Sequence, residues 1–179
     1  MGYFEIEYAG TAFECLYSPA KSNWAVGIDC AILKKRAYKG WGFTNRVRKL
    51  DGFVPHWLPF TGSQGFLNIY YNWTCADIEL KLSLGKFLAN DCGARFEVSR
   101  YFQSGMRVGF WYTLTNGNDR INDQTYYDKG IFFSVPLDIF YSRSSRSRWG
   151  YGMSAWLRDV GVKAANGSEL YNLIYLQRQ

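Results

Sequence analysis

Asp77, Glu79 and Lys81 alternate along one short segment, so in an extended backbone their side chains share a face. Two carboxylates on successive positions of one strand face lie about 7 Å apart, a spacing that paired acid and base groups use to cleave glycosidic bonds. Lys81 continues the same series with the opposite sign, and a ladder of alternating charge is the better description of all three. Other constellations fail sooner. His56 is the only histidine, and no G-x-S-x-G accompanies it to supply a positioned nucleophile. Gly40–Gly42 forms neither G-x-G-x-x-G nor a P-loop. Cys15, Cys30, Cys75 and Cys92 have no C-x-x-C spacing, so a zinc site is not expected. No catalytic residue, cofactor or metal is therefore expected. Aromatic rings can stack on sugars, and Trp41, Trp57, Trp111 and Trp156 are the candidates for that role.

The charged ladder belongs to a longer pattern. From Asp77 to Leu88, Ile78, Leu80, Leu82, Leu84 and Leu88 take one parity, while Asp77, Glu79, Lys81, Ser83 and Gly85 take the other. That is a β-ribbon with one apolar and one polar side. Read for period two, the 179-residue chain yields ten strand candidates. They are Tyr3–Tyr8, Ala12–Ser18, Asn23–Lys35, Gly65–Trp73, Ala76–Leu88, Ala94–Phe102, Met106–Thr115, Gly130–Phe140, Trp149–Arg158 and Leu170–Gln177. Pro136 lacks an N–H and marks an edge, a bulge or a shifted strand boundary. Cys15 and Cys30 fall on the apolar parity and are expected to be buried as small hydrophobes.

Composition bounds what such strands could do. Aromatic residues make up 19% of the chain, with 14 Tyr, 13 Phe and 7 Trp, and no window approaches the roughly 18 consecutive apolar residues of a transmembrane helix. Net charge is +6, but the bases are scattered through turns and no nucleic-acid motif accompanies them, so nucleic acid is not an expected partner. The N-terminus enters strand alternation directly, without the features of a signal peptide, which fits a mature form or a piece of a longer product.

The connections between strands sort by length. Pro19–Ser22, Thr74–Cys75, Gln103–Gly105 and Tyr141–Arg148 are short, while Arg36–Gln64, Asn116–Lys129 and Asp159–Glu169 are long, with Asn90–Gly93 between. Arg36–Gln64 has room for an extra hairpin. Alternation of short and long connections is the habit of outer-membrane barrels, whose strands need about 10 residues each. The expectation is an all-β, antiparallel up-and-down meander barrel, or part of one, of about ten strands and outer-membrane type. It forms a single domain over residues 1–179 or the C-terminal fragment of a larger barrel. Asp77, Glu79, Lys81, Arg95, Glu97, Arg107, Trp111 and Trp156 are the candidate lumen-facing or glycan-facing residues. A soluble carbohydrate-binding β-sandwich or barrel is the alternative, and a polysaccharide-modifying enzyme a third reading.

Several segments look familiar in order and spacing. Gly10–Pro19 is followed by Trp24-Ala25-Val26-Gly27-Ile28-Asp29, and Leu82–Ala94 leads to Val98-Ser99-Arg100. Gly105–Gly109 and Thr113–Asn116 precede Tyr127–Asp138, which contains Asp128-Lys129-Gly130-Ile131 with Pro136 and Asp138. Leu157-Arg158-Asp159-Val160-Gly161 and Leu170-Tyr171 close the series. Together they resemble the C-terminal barrel region of the YjbH family of bacterial outer-membrane proteins. The resemblance implies a non-enzymatic outer-membrane barrel component serving exopolysaccharide or capsule biosynthesis or export. Its implied partners are outer-membrane lipid, the exopolysaccharide and other export-machinery proteins.

Overall fold

Period-two alternation becomes one antiparallel sheet in the computed structural model of the chain. The structure describes residues 2–3, 8–37, 42–51, 54–60, 62–117, 120–121, 124–125, 127–139, 148–154, 161–164, 167 and 169–178. The first strands are β1 (Gly2–Tyr3), β2 (Tyr8–Tyr17), β3 (Trp24–Arg36) and β4 (Phe43–Thr44). Then come β5 (Arg46–Asp51), β6 (Val54–Pro59), β7 (Gly62–Trp73), β8 (Ile78–Lys86) and β9 (Cys92–Tyr101). The series ends with β10 (Arg107–Thr115), β11 (Arg120–Ile121), β12 (Gln124–Thr125), β13 (Lys129–Pro136), β14 (Arg148–Ser154) and a helix α1 (Leu170–Arg178). The main sheet runs β1-β2-β3-β7-β8-β9-β10-β13-β14, with β4 paired to the end of β3, and it curls into a half-barrel.

Consecutive strands pair as neighbours, which is the meander expected from the short turns. Gly105 takes a positive φ of 77° in one of these turns and Asn90 one of 70° in the β8–β9 turn at the other rim, the conformation that glycine and asparagine tolerate best. The long connections fall on the opposite rim and build their own hairpins, β5–β6 and β11–β12, separate from the main sheet. The first of these is the extra hairpin for which Arg36–Gln64 left room.

Burial along the strands is inverted relative to a water-soluble sheet. On β7, Gln64, Phe66, Asn68 and Tyr70 are buried while Leu67, Ile69 and Tyr71 are exposed. On β3, Asp29 is 2% exposed and its neighbour Ile28 is 52% exposed. Glu79, Ser83, Ser99 and Thr113 are likewise buried on the concave face, and Phe13, Leu84, Phe96, Phe110, Ile131 and Trp149 are exposed on the convex one. Cys15 and Cys30 follow their parity and are exposed free thiols, not buried ones. The apolar parity is simply the outward one.

The concave face is covered by the chain's own C-terminal segment. Asp159–Glu169, expected as one of the long connections at the rim of the barrel, instead supplies residues 161–164, which bond to this face. The Leu88 N–H donates to Val162 O at 3.2 Å, and Gln64 and Ala164 exchange two hydrogen bonds of 3.0 Å. Leu170–Gln177, expected as a strand, is helical. Inside a half-barrel this segment has no adjacent strand to bond, and a helix satisfies its backbone from within. Tyr171 of α1 stacks on Tyr70 with centroids 4.1 Å apart, joined by Ala25 and Leu16. A second small core gathers Tyr8, Ala31, Leu33, Leu88 and Ala164.

Other boundaries move slightly. Tyr8–Tyr17 is one strand where Tyr3–Tyr8 and Ala12–Ser18 were expected as two, and β13 stops at Pro136, which begins a turn of 3-10 helix at Leu137. Positions 140–147 and 155–160 lie outside the described residues.

The Tyr70–Tyr171 stack generates a prediction. Removing the Tyr171 ring should cost the docked helix about 3 kcal/mol, the low end for deleting a buried aromatic. Tyr171→Ala is expected to speed hydrogen exchange across Leu170–Ile174 while β7 and β8 keep their protection, as read by mass spectrometry.

Candidate functional site

Side chains from β3, β7, β8, β9, β10, β13 and β14 converge on the concave face, where the strap formed by residues 161–164, 167 and 169 and helix α1 lie over them. One polar chain crosses the sheet. Ser83 Oγ donates to Asn68 Oδ1 at 2.6 Å, and Asn68 Nδ2 donates to Asp29 Oδ2 at 2.9 Å. Lys163 of the strap donates to the same Asp29 oxygen at 2.6 Å and to Glu169 Oε1 at 3.3 Å. Glu169 is then gripped by Lys81 on β8, whose Nζ lies 2.6 Å from Oε2.

A second cluster centres on Arg107. Its guanidinium contacts Glu79 Oε1 at 2.5 Å, Glu97 Oε1 at 3.4 Å, Ser99 Oγ at 2.9 Å and Asn172 Oδ1 of α1 at 3.3 Å. Tyr101 OH donates to the other oxygen of Glu79 at 3.3 Å. Such forked contacts suit arginine, whose planar donors match carboxylates in two directions. Gly109, opposite Ser99 and Phe132, leaves room for these rings and hydroxyls, because a Cβ there would come within 2.8 Å of the Ser99 Cβ.

Nearer the long-loop rim, Arg95 lies over the Trp111 ring at 4.9 Å and 3.8 Å from Asp128 Oδ2. Asp128 already accepts from Trp111 Nε1 at 2.9 Å and Ser154 Oγ at 2.8 Å. At the short-turn rim, Arg148 donates to Ser134 Oγ at 2.9 Å and to Gly105 O at 2.5 Å. A cavity of about 460 Å³ opens between these groups, lined on its basic side by Lys81, Arg95, Arg107, Arg148 and Lys163.

The strap sets the electrostatics. Burial works against the Glu169 charge, but Lys81 and Lys163 outweigh it and hold that carboxyl down at about 2. Burial likewise works against the Lys163 ammonium, and Glu169 and Asp29 reverse the effect, raising it above the ordinary lysine value.

Of the residues expected to face a lumen, Glu79, Lys81, Arg95, Glu97, Arg107 and Trp111 are brought together on the concave face. Asp77 is not. It sits exposed in the β7–β8 turn with φ 54°, where its carbonyl accepts from the Tyr101 N–H at 2.9 Å. Trp156 and Trp41 lie outside the described residues, and Trp57 is exposed on β6. Period-two reading missed Lys163, Glu169 and Asn172, because they belong to a strap with no local pattern. It also placed Arg148 in a turn, although its pairing with Pro136 begins β14. Among the described residues no group of His, Cys, Asp and Glu is arranged to hold a metal. No described helix is long and apolar enough to cross a membrane, which says nothing of strands.

A family model described as "Exopolysaccharide biosynthesis protein YbjH" matches residues 1–175. The chain is 32% identical over 176 residues to the "Uncharacterized lipoprotein YjbH" of Escherichia coli (strain K12), covering 96% of this chain and 23% of that protein. It thus spans about a quarter of the length of the curated relative it matches. No solved structure matches it.

The Glu169 anchor predicts a pH dependence of known sign. A carboxyl held below its unfolded value of 4.5 contributes stability that is complete above 4.5 and is lost as pH falls toward about 2. Protection of the α1 amides should therefore decline across that window in the native protein. Glu169→Gln should lower it already at neutral pH and flatten the difference from the native protein on acidification, as followed by hydrogen exchange.

Proposed function

The chain belongs to the YjbH family of exopolysaccharide biosynthesis proteins, and we propose that it forms part of the wall of an outer-membrane β-barrel. In this reading its convex face meets lipid, its concave face borders the path or binding surface of the exopolysaccharide, and it does no chemistry itself. The observation that carries the proposal is the inverted burial: Phe13, Ile28, Ile32, Phe110, Ile131, Trp149 and Met153 are each more than half exposed, while Asp29, Glu79, Ser83 and Ser99 are buried. In water that arrangement is costly, since each outward apolar side chain forgoes about 1.5–3 kcal/mol of transfer free energy; in lipid it is favourable. Strand length agrees. β2 and β9 have 10 residues, β8 and β10 have 9 and β7 has 12, matching the 9–11 or so that a tilted membrane strand requires.

The sorting of connections adds to this. The tight β2–β3, β7–β8 and β9–β10 turns close one rim, while both hairpins, β5–β6 and β11–β12, stand at the other beside the β8–β9 turn, as in barrels whose two ends meet different compartments. The lipoprotein relative supports a cell-envelope location, and the chain's own membership of an exopolysaccharide biosynthesis family supports a glycan and export-machinery proteins as partners.

Charged substitutions on the convex face test the reading. Ile28→Arg and Ile69→Arg should each destabilise the membrane-inserted form by about 2–4 kcal/mol if they sit near the bilayer centre, whereas Ala20→Arg in the exposed β2–β3 turn should be neutral. The native protein should resist alkaline extraction from envelopes and migrate differently on gels when unheated. A protein that folds fully as a detergent-free monomer, or tolerates both convex-face arginines, would overturn the membrane assignment in favour of a soluble carbohydrate-binding sheet.

A further inference from the structure

The cations of the concave cavity are not equally neutralised. Lys81, Lys163 and Arg107 each have a carboxylate oxygen within 2.6 Å. Among the described residues Arg95 has one carboxylate in ion-pair contact, Asp128 at 3.8 Å, which is already shared with Trp111 and Ser154, while Glu97 and Glu169 act on it from further off. Arg148 has no carboxylate partner among the described residues. Neutral acceptors hold its Nε and Nη2, the Ser134 hydroxyl and the carbonyls of Gly105 and Ser134, which fix the guanidinium plane without cancelling its charge. Both arginines line the cavity.

Their placement follows from the register. Arg95 lies opposite Thr113 and Tyr101 opposite Arg107, so Arg95 stands six positions along β9 from the Arg107–Tyr101 pair. Arg107 in turn faces Ser134, the residue that holds Arg148. Six positions at strand rise separate the two stations by about 20 Å of backbone. Between them the lining offers the hydroxyls of Ser83, Ser134 and Tyr101 and the amide of Asn172, together with Glu97 and Glu169, whose charges are met by Arg107 and by Lys81 and Lys163. Under-neutralised guanidinium planes select carboxylates, and a run of hydroxyl and amide groups selects a hydroxylated ligand.

We propose that this cavity is a binding site for an acidic oligosaccharide, a chain of uronic-acid-type sugars whose carboxylates are taken by Arg148 and Arg95. The inference rests on the exopolysaccharide reading above and names the class of glycan for which that reading leaves no identity. A multi-residue ligand is required, because one sugar cannot reach both stations. Lys81, Lys163 and Arg107 stay paired with protein carboxylates, which leaves Arg95 and Arg148 as the cations open to the ligand.

The test is calorimetric titration of the full chain in detergent with oligogalacturonate, maltohexaose as the uncharged control, and a sulfated dextran oligomer of similar length. Oligogalacturonate is expected to bind, and maltohexaose is not. Arg148→Gln and Arg95→Gln should each weaken oligogalacturonate roughly tenfold or more, the effect of losing one charged contact. Arg100→Gln, at an exposed position outside the cavity, should change nothing. Equal binding of oligogalacturonate and maltohexaose, or indifference to Arg148→Gln, would overturn the proposal. Sulfated dextran binding as tightly as oligogalacturonate would overturn the carboxylate assignment. Arg148→Lys, which keeps the charge but loses the fork, should recover only part of the affinity. Full recovery would count against planar recognition. Envelope extraction of the same native protein reads the barrel hypothesis separately: membrane-resident protein without acidic-glycan binding sinks only this inference, and protein released from the envelope sinks the reading beneath it.

Discussion

Ionic groups held away from bulk water on the inside of a curved sheet must find partners within the molecule, and most of this structure follows from that constraint. Taking a charge out of water costs several kcal/mol unless an opposite charge and well-formed hydrogen bonds receive it. Glu169 receives two, Lys81 from the sheet and Lys163 from its own strap, and Lys163 passes the interaction on to Asp29. The strap is therefore a necessary counter-layer to the concave face. Remove it and Lys81 loses its carboxylate, while Asp29, Asn68 and Ser83 lose the cation at the end of their hydrogen-bonded row. The same dependence runs through Arg107, which binds Glu79 and Glu97 on the sheet and Asn172 on the helix.

The two faces of the sheet obey different rules. Inside, specificity is electrostatic and directional, and the apolar contributions are confined to Tyr70 on Tyr171, Phe66 on Phe87 and the small cluster around Leu33 and Leu88. Outside, the side chains are large and apolar and touch one another in aromatic pairs such as Phe133 with Trp149 and Tyr17 with Trp24, with no described element packed across them. A soluble domain normally places its directional interactions at the surface and its aliphatic mass in the core. Reversal of both at once over seven adjacent long strands is the feature on which the proposed place of this sheet in a membrane wall rests.

Much of the sheet was legible from local pattern, because side-chain parity is set by the backbone of each strand alone. That is why Glu79, Lys81, Arg95, Glu97, Arg107 and Trp111 could be assigned to one face before any pairing was known. Asp77 escaped the pattern because β8 begins at Ile78, and a residue with positive φ just before it belongs to the turn. The helix was misread because Leu170–Leu176 is a nearly continuous apolar run, which periodicity cannot divide between strand and helix. Burial of Cys15 and Cys30 was expected from side-chain type, whereas exposure was decided by which parity faces out. The strap was invisible for a different reason. Lys163 and Asp29 are 134 positions apart, and no local rule pairs groups at that separation.

The free thiols carry a practical consequence. Cys75 lies in a short turn, Cys92 opens β9 at the opposite rim, and Cys15 and Cys30 stand on the outer wall between. Nine residues of β8 separate the two rims, about 30 Å at strand rise. The chain thus carries two rim markers and two wall markers of its own, at which thiol labelling reads the surroundings of the sheet at different heights without adding a foreign residue.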